Sequence, residues 1–188
     1  MKKLFTIALL MVFSMVAFAQ SEVGKISVTP MVGATSATMT GFDFDRKLGF
    51  IVGAEAQNQL NSFLALSGGL FFAQEGYKSD EVGEDYSLRA NYLNVPVLLN
   101  AYVVKGLALK AGLQPEFLLS AKARGIDYKD DMNSIGISLP VGASYEFSNL
   151  VLDFRYNIGL TNSIKLLDRG INVKGKNSVL QLTLGYRF

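Results

Sequence analysis

The sequence predicts an all-β fold, an eight-stranded antiparallel transmembrane β-barrel with short turns at one end and longer loops at the other. Three observations carry that expectation. Apolar and polar residues alternate with period two in eight separate segments. The segments reach the roughly 9–11 residues that a tilted strand needs to cross a bilayer. The connections between them alternate short and long, as those of a bacterial outer-membrane barrel do.

Alternation puts successive side chains on opposite faces of a strand, so each segment has a lipid set and a lumen set. In segment 25–39, Ile26, Val28, Pro30, Val32 and Ala34 stand against Lys25, Ser27, Thr29 and Gly33. Segment 48–59 sets Phe50, Val52, Ala54 and Ala56 against Gly53, Glu55 and Gln57. Segment 63–78 sets Leu64, Leu66, Leu70 and Phe72 against Ala65, Ser67, Gly69 and Glu75, with Phe71 breaking the pattern. Segment 89–103 sets Leu93, Val95, Val97, Leu99 and Ala101 against Tyr92, Asn94, Pro96 and Asn100.

The fifth segment, 107–122, is the cleanest: Leu107, Leu109, Ala111, Leu113, Phe117 and Leu119 oppose Lys110, Gly112, Gln114, Glu116 and Ser120. Segment 134–147 pairs Ile135, Ile137, Leu139, Val141 and Tyr145 with Gly136, Ser138, Gly142, Ser144 and Glu146. Segment 150–161 pairs Leu152, Phe154, Tyr156 and Ile158 with Asp153, Arg155, Asn157 and Gly159. The last, 178–188, carries Leu180, Leu182, Leu184, Tyr186 and Phe188 on one side and Gln181, Thr183, Gly185 and Arg187 on the other. An even number of strands closes a barrel with both termini on one side.

With the amino terminus on the periplasmic side, every second connection should be short. Residues 58–62, 104–106 and 148–149 are tight, while 40–47, 79–88, 123–133 and 162–177 are long and polar. Pro30, Pro96, Pro115 and Pro140 fall inside strands, where each removes a ladder donor. Local bulges are the expected accommodation.

An eight-stranded barrel is just wide enough for side chains to fill it. Glu55, Glu75, Glu116, Glu146 and Asp153 face inward, as do Lys110, Lys122, Arg155 and Arg187. Signs so nearly balanced in a narrow tube predict a structural network of ion pairs, because unpaired buried charge is costly. A polar path or ligand site is the alternative use of the same residues.

The amino-terminal segment fits a cleavable secretory leader. Met1, Lys2 and Lys3 make a basic start, an apolar run follows to Phe18, and Ala17-Phe18-Ala19 is a small-x-small cleavage pattern. This divides the chain into a signal peptide, 1–19, and a barrel domain, 20–188. Lys2 and Lys3 leave with the leader, so 18 basic and 16 acidic residues become sixteen of each. A nucleic-acid-binding domain would carry a basic excess, so nucleic acid is not an expected partner. Cys is absent, which rules out disulfides and a lipid-modified cysteine.

The chemistry of catalysis is thin. Known outer-membrane barrel enzymes use a histidine, and this chain has none. No Ser with a neighbouring basic partner stands out at a strand end, so neither an enzyme nor a cofactor is expected. The stretch from Gly170 to Asn177 approaches a phosphate loop but ends in Asn177 where Ser or Thr is required, and it enters a strand rather than a helix. Acidic clusters in three long connections (Asp43 and Asp45; Asp80, Glu81, Glu84 and Asp85; Asp127, Asp130 and Asp131) lack calcium-loop spacing and read as solvated loop tips.

The run from Tyr92 to Leu99, Tyr-Leu-Asn-Val-Pro-Val-Leu-Leu, resembles the tyrosine-leucine-x-[isoleucine or valine]-proline-leucine signature of the PorT-like outer-membrane β-barrel family common in Bacteroidetes. Asp153 to Leu160 and the ending Leu184 to Phe188 also resemble that family, and the likeness spans roughly residues 22–188. It implies an outer-membrane barrel and supplies no catalytic residues to carry over. The family's founding member is tied to protein secretion and gliding, which makes an accessory subunit of a secretion system one expected role. The other is a structural or interaction barrel that presents its external loops to partners or to lipopolysaccharide. A soluble lipocalin-like binder, with the apolar set inward, is a third and weaker reading. Phe188 reads as a terminal signal for the barrel-assembly machinery.

Overall fold

The computed structural model describes residues 23–40, 45–79, 86–123, 126–127, 129, 132–161 and 175–188. The leader, most of the acidic loop positions and residues 170–174 lie outside them. In chain order the strands are β1 (Ile26–Thr40), β2 (Asp45–Gln59), β3 (Leu64–Ser79), β4 (Tyr86–Asn94), β5 (Val97–Val104), β6 (Leu107–Ala123), β7 (Ile126–Asp127), β8 (Ile135–Phe147), β9 (Leu150–Gly159) and β10 (Lys176–Tyr186). β4 and β5 are two halves of one stave, both lying between β3 and β6. β7 is a two-residue strip beside the end of β6. The remaining staves bring the wall to eight.

Every neighbouring pair is antiparallel, and the wall closes where β10 pairs with β1, from Met31 opposite Gly185 to Thr40 opposite Lys176. Closure leaves no free edge, the condition a sheet must meet in hydrocarbon, where no water satisfies an unpaired backbone group. Both described chain ends lie at the short-turn rim: Phe188 N donates to Val28 O and Gly24 N to Gln59 O.

The side-chain distribution is inside-out relative to a soluble barrel. Along β9, Leu150, Leu152, Phe154 and Ile158 are exposed while Val151, Asp153, Arg155 and Asn157 are buried. The same holds for exposed Leu109, Leu113 and Leu119 against buried Lys110, Gln114 and Glu116 on β6. An apolar exterior over a polar interior suits a lipid solvent and excludes the lipocalin-like arrangement.

Phe71, which breaks the alternation of β3, belongs to the lumen and is 1 % exposed. Glycines make its space. A Cβ on Gly53 would meet the Phe71 ring at 2.6 Å, and one on Gly69 at 2.5 Å.

Four expectations are corrected. The prolines cause no register shift. Asn94–Glu116 and Val97–Leu113 continue a single register across Val95 and Pro96, where the ladder is only interrupted and Val95 N donates to Pro115 O. Pro115 lacks the donor toward Val95, and Pro96, which accepts from Gly69 N, lacks the donor toward β3, so the two prolines interrupt the ladders on both sides of this stave at the same level. The register shifts lie elsewhere, between residues 46 and 51 of β2, at Val103 of β5 and around Leu119 of β6.

The bulge on β6 produces the second and third corrections. Asn91 pairs with Ser120 but Tyr92 with Leu118, so Leu119 is an extra residue and the alternation slips by one. Ser120 therefore shares the outer face with Asn91, whose Nδ2 donates to Ser120 Oγ at 2.8 Å, and Lys122 is exposed rather than in the lumen. Fourth, the first connection is short. β1 and β2 stay paired to Ala37 and Lys47 and leave only residues 41–44 between them, no longer than 60–63. The other connections keep the short-long contrast: 105–106 and 148–149 against 80–85, 124–134 and 160–175.

Candidate functional site

The lumen's centre is built from three staves. β2 supplies Glu55, β6 supplies Lys110, and β9 supplies both Asp153 and Arg155, two residues apart and so on one face. Lys110 Nζ donates to Glu55 Oε1 at 2.6 Å and to Asp153 Oδ2 at 2.7 Å. Arg155 Nη2 donates to Glu55 Oε2 and, at 3.0 Å, to Asp153 Oδ2, while its Nε lies 2.6 Å from Asp153 Oδ1. Two cations and two carboxylates close a ring, each touching both opposite charges.

Burial gives the ring its energetic weight. Side-chain exposure falls from 6 % at Glu55 to 0 % at Asp153. Taking such charges out of water is repaid only when every one is paired and hydrogen-bonded, so the ring tolerates no missing member. Gly142 of β8 is the Cα partner of both Lys110 and Arg155, so no side chain from β8 stands between the two cations at that level. The Arg155 guanidinium also lies 5.7 Å from the centre of the Phe71 ring, a cation–π distance.

A second belt lies toward the short turns. Tyr102 Oη donates to Glu146 Oε1 at 2.6 Å and accepts from Gln57 Nε2 at 2.8 Å. Arg187 clamps the same pair, donating to Glu146 Oε2 and, at 3.1 Å, to Gln57 Oε1. Below it a vestibule of about 560 Å³, lined by Gln59, Asn61, Tyr102, Lys105 and Glu146, opens at the rim.

Toward the long connections, Glu75 and Glu116 have neutral donors. Asn94 Nδ2 reaches Glu75 Oε1 at 3.3 Å; Ser138 Oγ and Gln114 Nε2 reach Glu116 Oε1 at 2.5 and 3.0 Å. Two voids of about 10 Å³ flank Tyr92, one touching Glu75 and the other Glu116, each roomy enough for about one water. Lys47, which the sequence placed in a loop, is buried at this end and donates to Leu88 O at 2.8 Å.

The structure thus gathers Glu55, Lys110, Asp153 and Arg155 into one cluster, Glu146 and Arg187 into a second, and Glu75 and Glu116 into a third. Sequence reasoning missed Lys47, Phe71, Gln57 and Tyr102 as network members. The polar residue in an inward slot was the available signal for Gln57. For Tyr102, one residue out of the apolar set of its segment, it was the phase alone. Phe188, half-buried beyond β10, packs against Tyr186 in a tilted arrangement with ring centres 4.9 Å apart.

A closed eight-stave barrel with an apolar exterior and a charged, packed lumen defines a small barrel of the outer-membrane type. The family profile described as "Outer membrane protein beta-barrel domain" matches residues 18–165, and the chain belongs to that family. Solved structures with the same fold include Ail, the attachment invasion locus protein of Yersinia pestis (17% identity, TM-score 0.52, 89% of this chain and 100% of that one). Neisserial surface protein A is similar (15%, 0.58, 89% and 100%), as is OprG from Pseudomonas aeruginosa (10%, 0.51, 92% and 99%). At such identities the likeness is one of fold. A search of curated proteins returned no match.

Proposed function

We propose that the protein is a non-enzymatic outer-membrane barrel that conducts nothing through its own lumen and acts as a structural or interaction protein through its external connections. The observation that carries this reading is the Lys110–Glu55–Arg155–Asp153 ring, which sits across the lumen with every charge paired. A tube crossed by neutralised, buried side chains offers neither an open path nor a reactive group, which leaves the exposed connections as the surface for partners. Export by the leader 1–19 and recognition of Phe188 by the barrel-assembly machinery belong to the same reading. Its lipid surroundings are the outer-membrane bilayer and lipopolysaccharide.

A second role, as a PorT-like accessory subunit of a secretion system in a Bacteroidetes cell envelope, has one specific support. The signature-like run from Tyr92 to Leu99 spans the break between β4 and β5, so the resemblance lies at a structural singularity rather than in an ordinary strand. Such a subunit needs a protein contact, and the vestibule at the short-turn rim supplies a concave periplasmic surface.

Outer-membrane fractionation with surface proteolysis of the long connections tests the first reading; cleavage in intact cells is expected, and recovery in a soluble fraction overturns it. Cross-linking followed by pull-down separates the two roles. Periplasmic secretion components in the cross-linked set favour the subunit, and external partners or none favour the interaction barrel.

A further inference from the structure

The bulge at Leu119 turns Lys122 outward and sets it beside Arg89, its direct Cα partner on β4. Both side chains are exposed, and neither has an ion-pair partner among the described residues. Like charges directly opposite on neighbouring strands repel, so Arg89 beside Lys122 favours an anion at this place. Asp127 stands directly opposite Lys122 on β7 and offsets one of the two charges, so the row keeps one positive charge in excess.

Height along the wall tells what that anion is. The outward positions of β6 are apolar from Leu109 to Leu119, ten residues apart. At about 3.4 Å per residue and a tilt of about 40° they rise roughly 26 Å, matching an apolar band of about 25 Å. Lys122 is three residues further toward the long connections, about 8 Å above that band, at the level of lipid headgroups. Outward Gln74, Asn91 and Ser120 make the polar step between, with Asn91 bonded to both others. Phe117 and Leu119 remain below for acyl chains.

We infer that Arg89 and Lys122 form a binding site for the phosphate of an outer-leaflet glycolipid headgroup, with the acyl chains lying along the Phe117 and Leu119 side of β6. Arg89 supplies a planar fork for two phosphate oxygens and Lys122 a point charge. The inference rests on the outer-membrane reading and deepens it by naming the lipid contact.

The test uses refolded full barrel in neutral detergent, with purified diphosphorylated lipid A and its dephosphorylated form as probes and retained lipid measured by native mass spectrometry. Wild-type protein is expected to retain the phosphorylated lipid preferentially. One charge near a membrane anion is worth about fivefold, so R89Q/K122Q should lower that preference by up to about thirtyfold, while R89K/K122R keeps most of it. Equal retention of both lipids by wild-type protein overturns the inference without any variant, and so does an unchanged preference in folded R89Q/K122Q. If fractionation places the protein in the outer membrane while the phosphate preference is missing, only the lipid site falls; a soluble protein removes both.

Discussion

Lys110 and Glu55 come from opposite parts of the chain, on β6 and β2, and meet 2.6 Å apart inside the barrel. Asp153 and Arg155 complete the contact from β9. Since the three staves are non-adjacent, this ring ties together walls that share no backbone ladder, across the lumen.

Removing one member should therefore be worse than removing two. Lys110→Met leaves Glu55 and Asp153 with Arg155 alone, and should destabilise the barrel by about 3–5 kcal/mol. Lys110→Met combined with Glu55→Met takes away one charge of each sign, and should recover part of that loss. Urea unfolding from lipid vesicles measures the cycle; additive losses would mean that the pair is not coupled.

The packing around Phe71 makes a second prediction. Gly69→Ala places a methyl within the ring's contact distance, and should cost about 1–3 kcal/mol through overpacking. Phe71→Leu in the same protein should relieve it. Unfolding midpoints of the two singles and the double decide, and a double worse than both singles would reject the steric account.

Depth on the outer face makes a third. Leu113 and Ser120 both face outward from β6, the first within the apolar band and the second near its rim. Leu113→Arg should cost about 2–4 kcal/mol and Ser120→Arg no more than about 1. Folding efficiency followed by heat-modifiable gel mobility reports both, and equal penalties would contradict the placement of the band.

The bulge itself is testable by deletion. Without Leu119, Leu118 and Ser120 become neighbours that pair regularly with Tyr92 and Asn91, so the bulge disappears while Ala121 stays inward and Lys122 outward. A cysteine at position 122 should react with a water-soluble maleimide in the wild-type background and keep that reactivity after the deletion; the cysteine-free chain makes the readout clean. Loss of labelling after the deletion would reject Leu119 as the extra residue.

Much of this was legible in residue order. Alternation names the wall and the lumen set wherever the period is unbroken, as along β9, where Asp153 and Arg155 fall into place from phase alone. Phase fails where one residue is added. Lys122 and Ser120 are misassigned because Leu119 carries no local mark of a bulge, being as apolar as its neighbours. Phe71 is obscure for another reason: an inward aromatic needs space from Gly53 on one stave and Gly69 on its own, a relation that exists only once β2 and β3 are paired. Lys47 was hidden by strand length, since β1 and β2 remain paired beyond the point where the polar sequence reads as loop. Partner choice within the lumen is three-dimensional: nothing in the order of residues pairs Lys110 with Glu55 rather than with Glu116.

The central claim is that apolar side chains face lipid and the charged set fills the interior, and single-tryptophan quenching tests it most directly because the chain has no Trp of its own. Phe154→Trp and Phe71→Trp, refolded separately into vesicles of brominated lipid, should behave oppositely. Position 154, about half exposed on the outer wall, should be strongly quenched, and position 71, 1 % exposed beside Arg155, should not. Strong quenching at 71 with none at 154 would contradict the account.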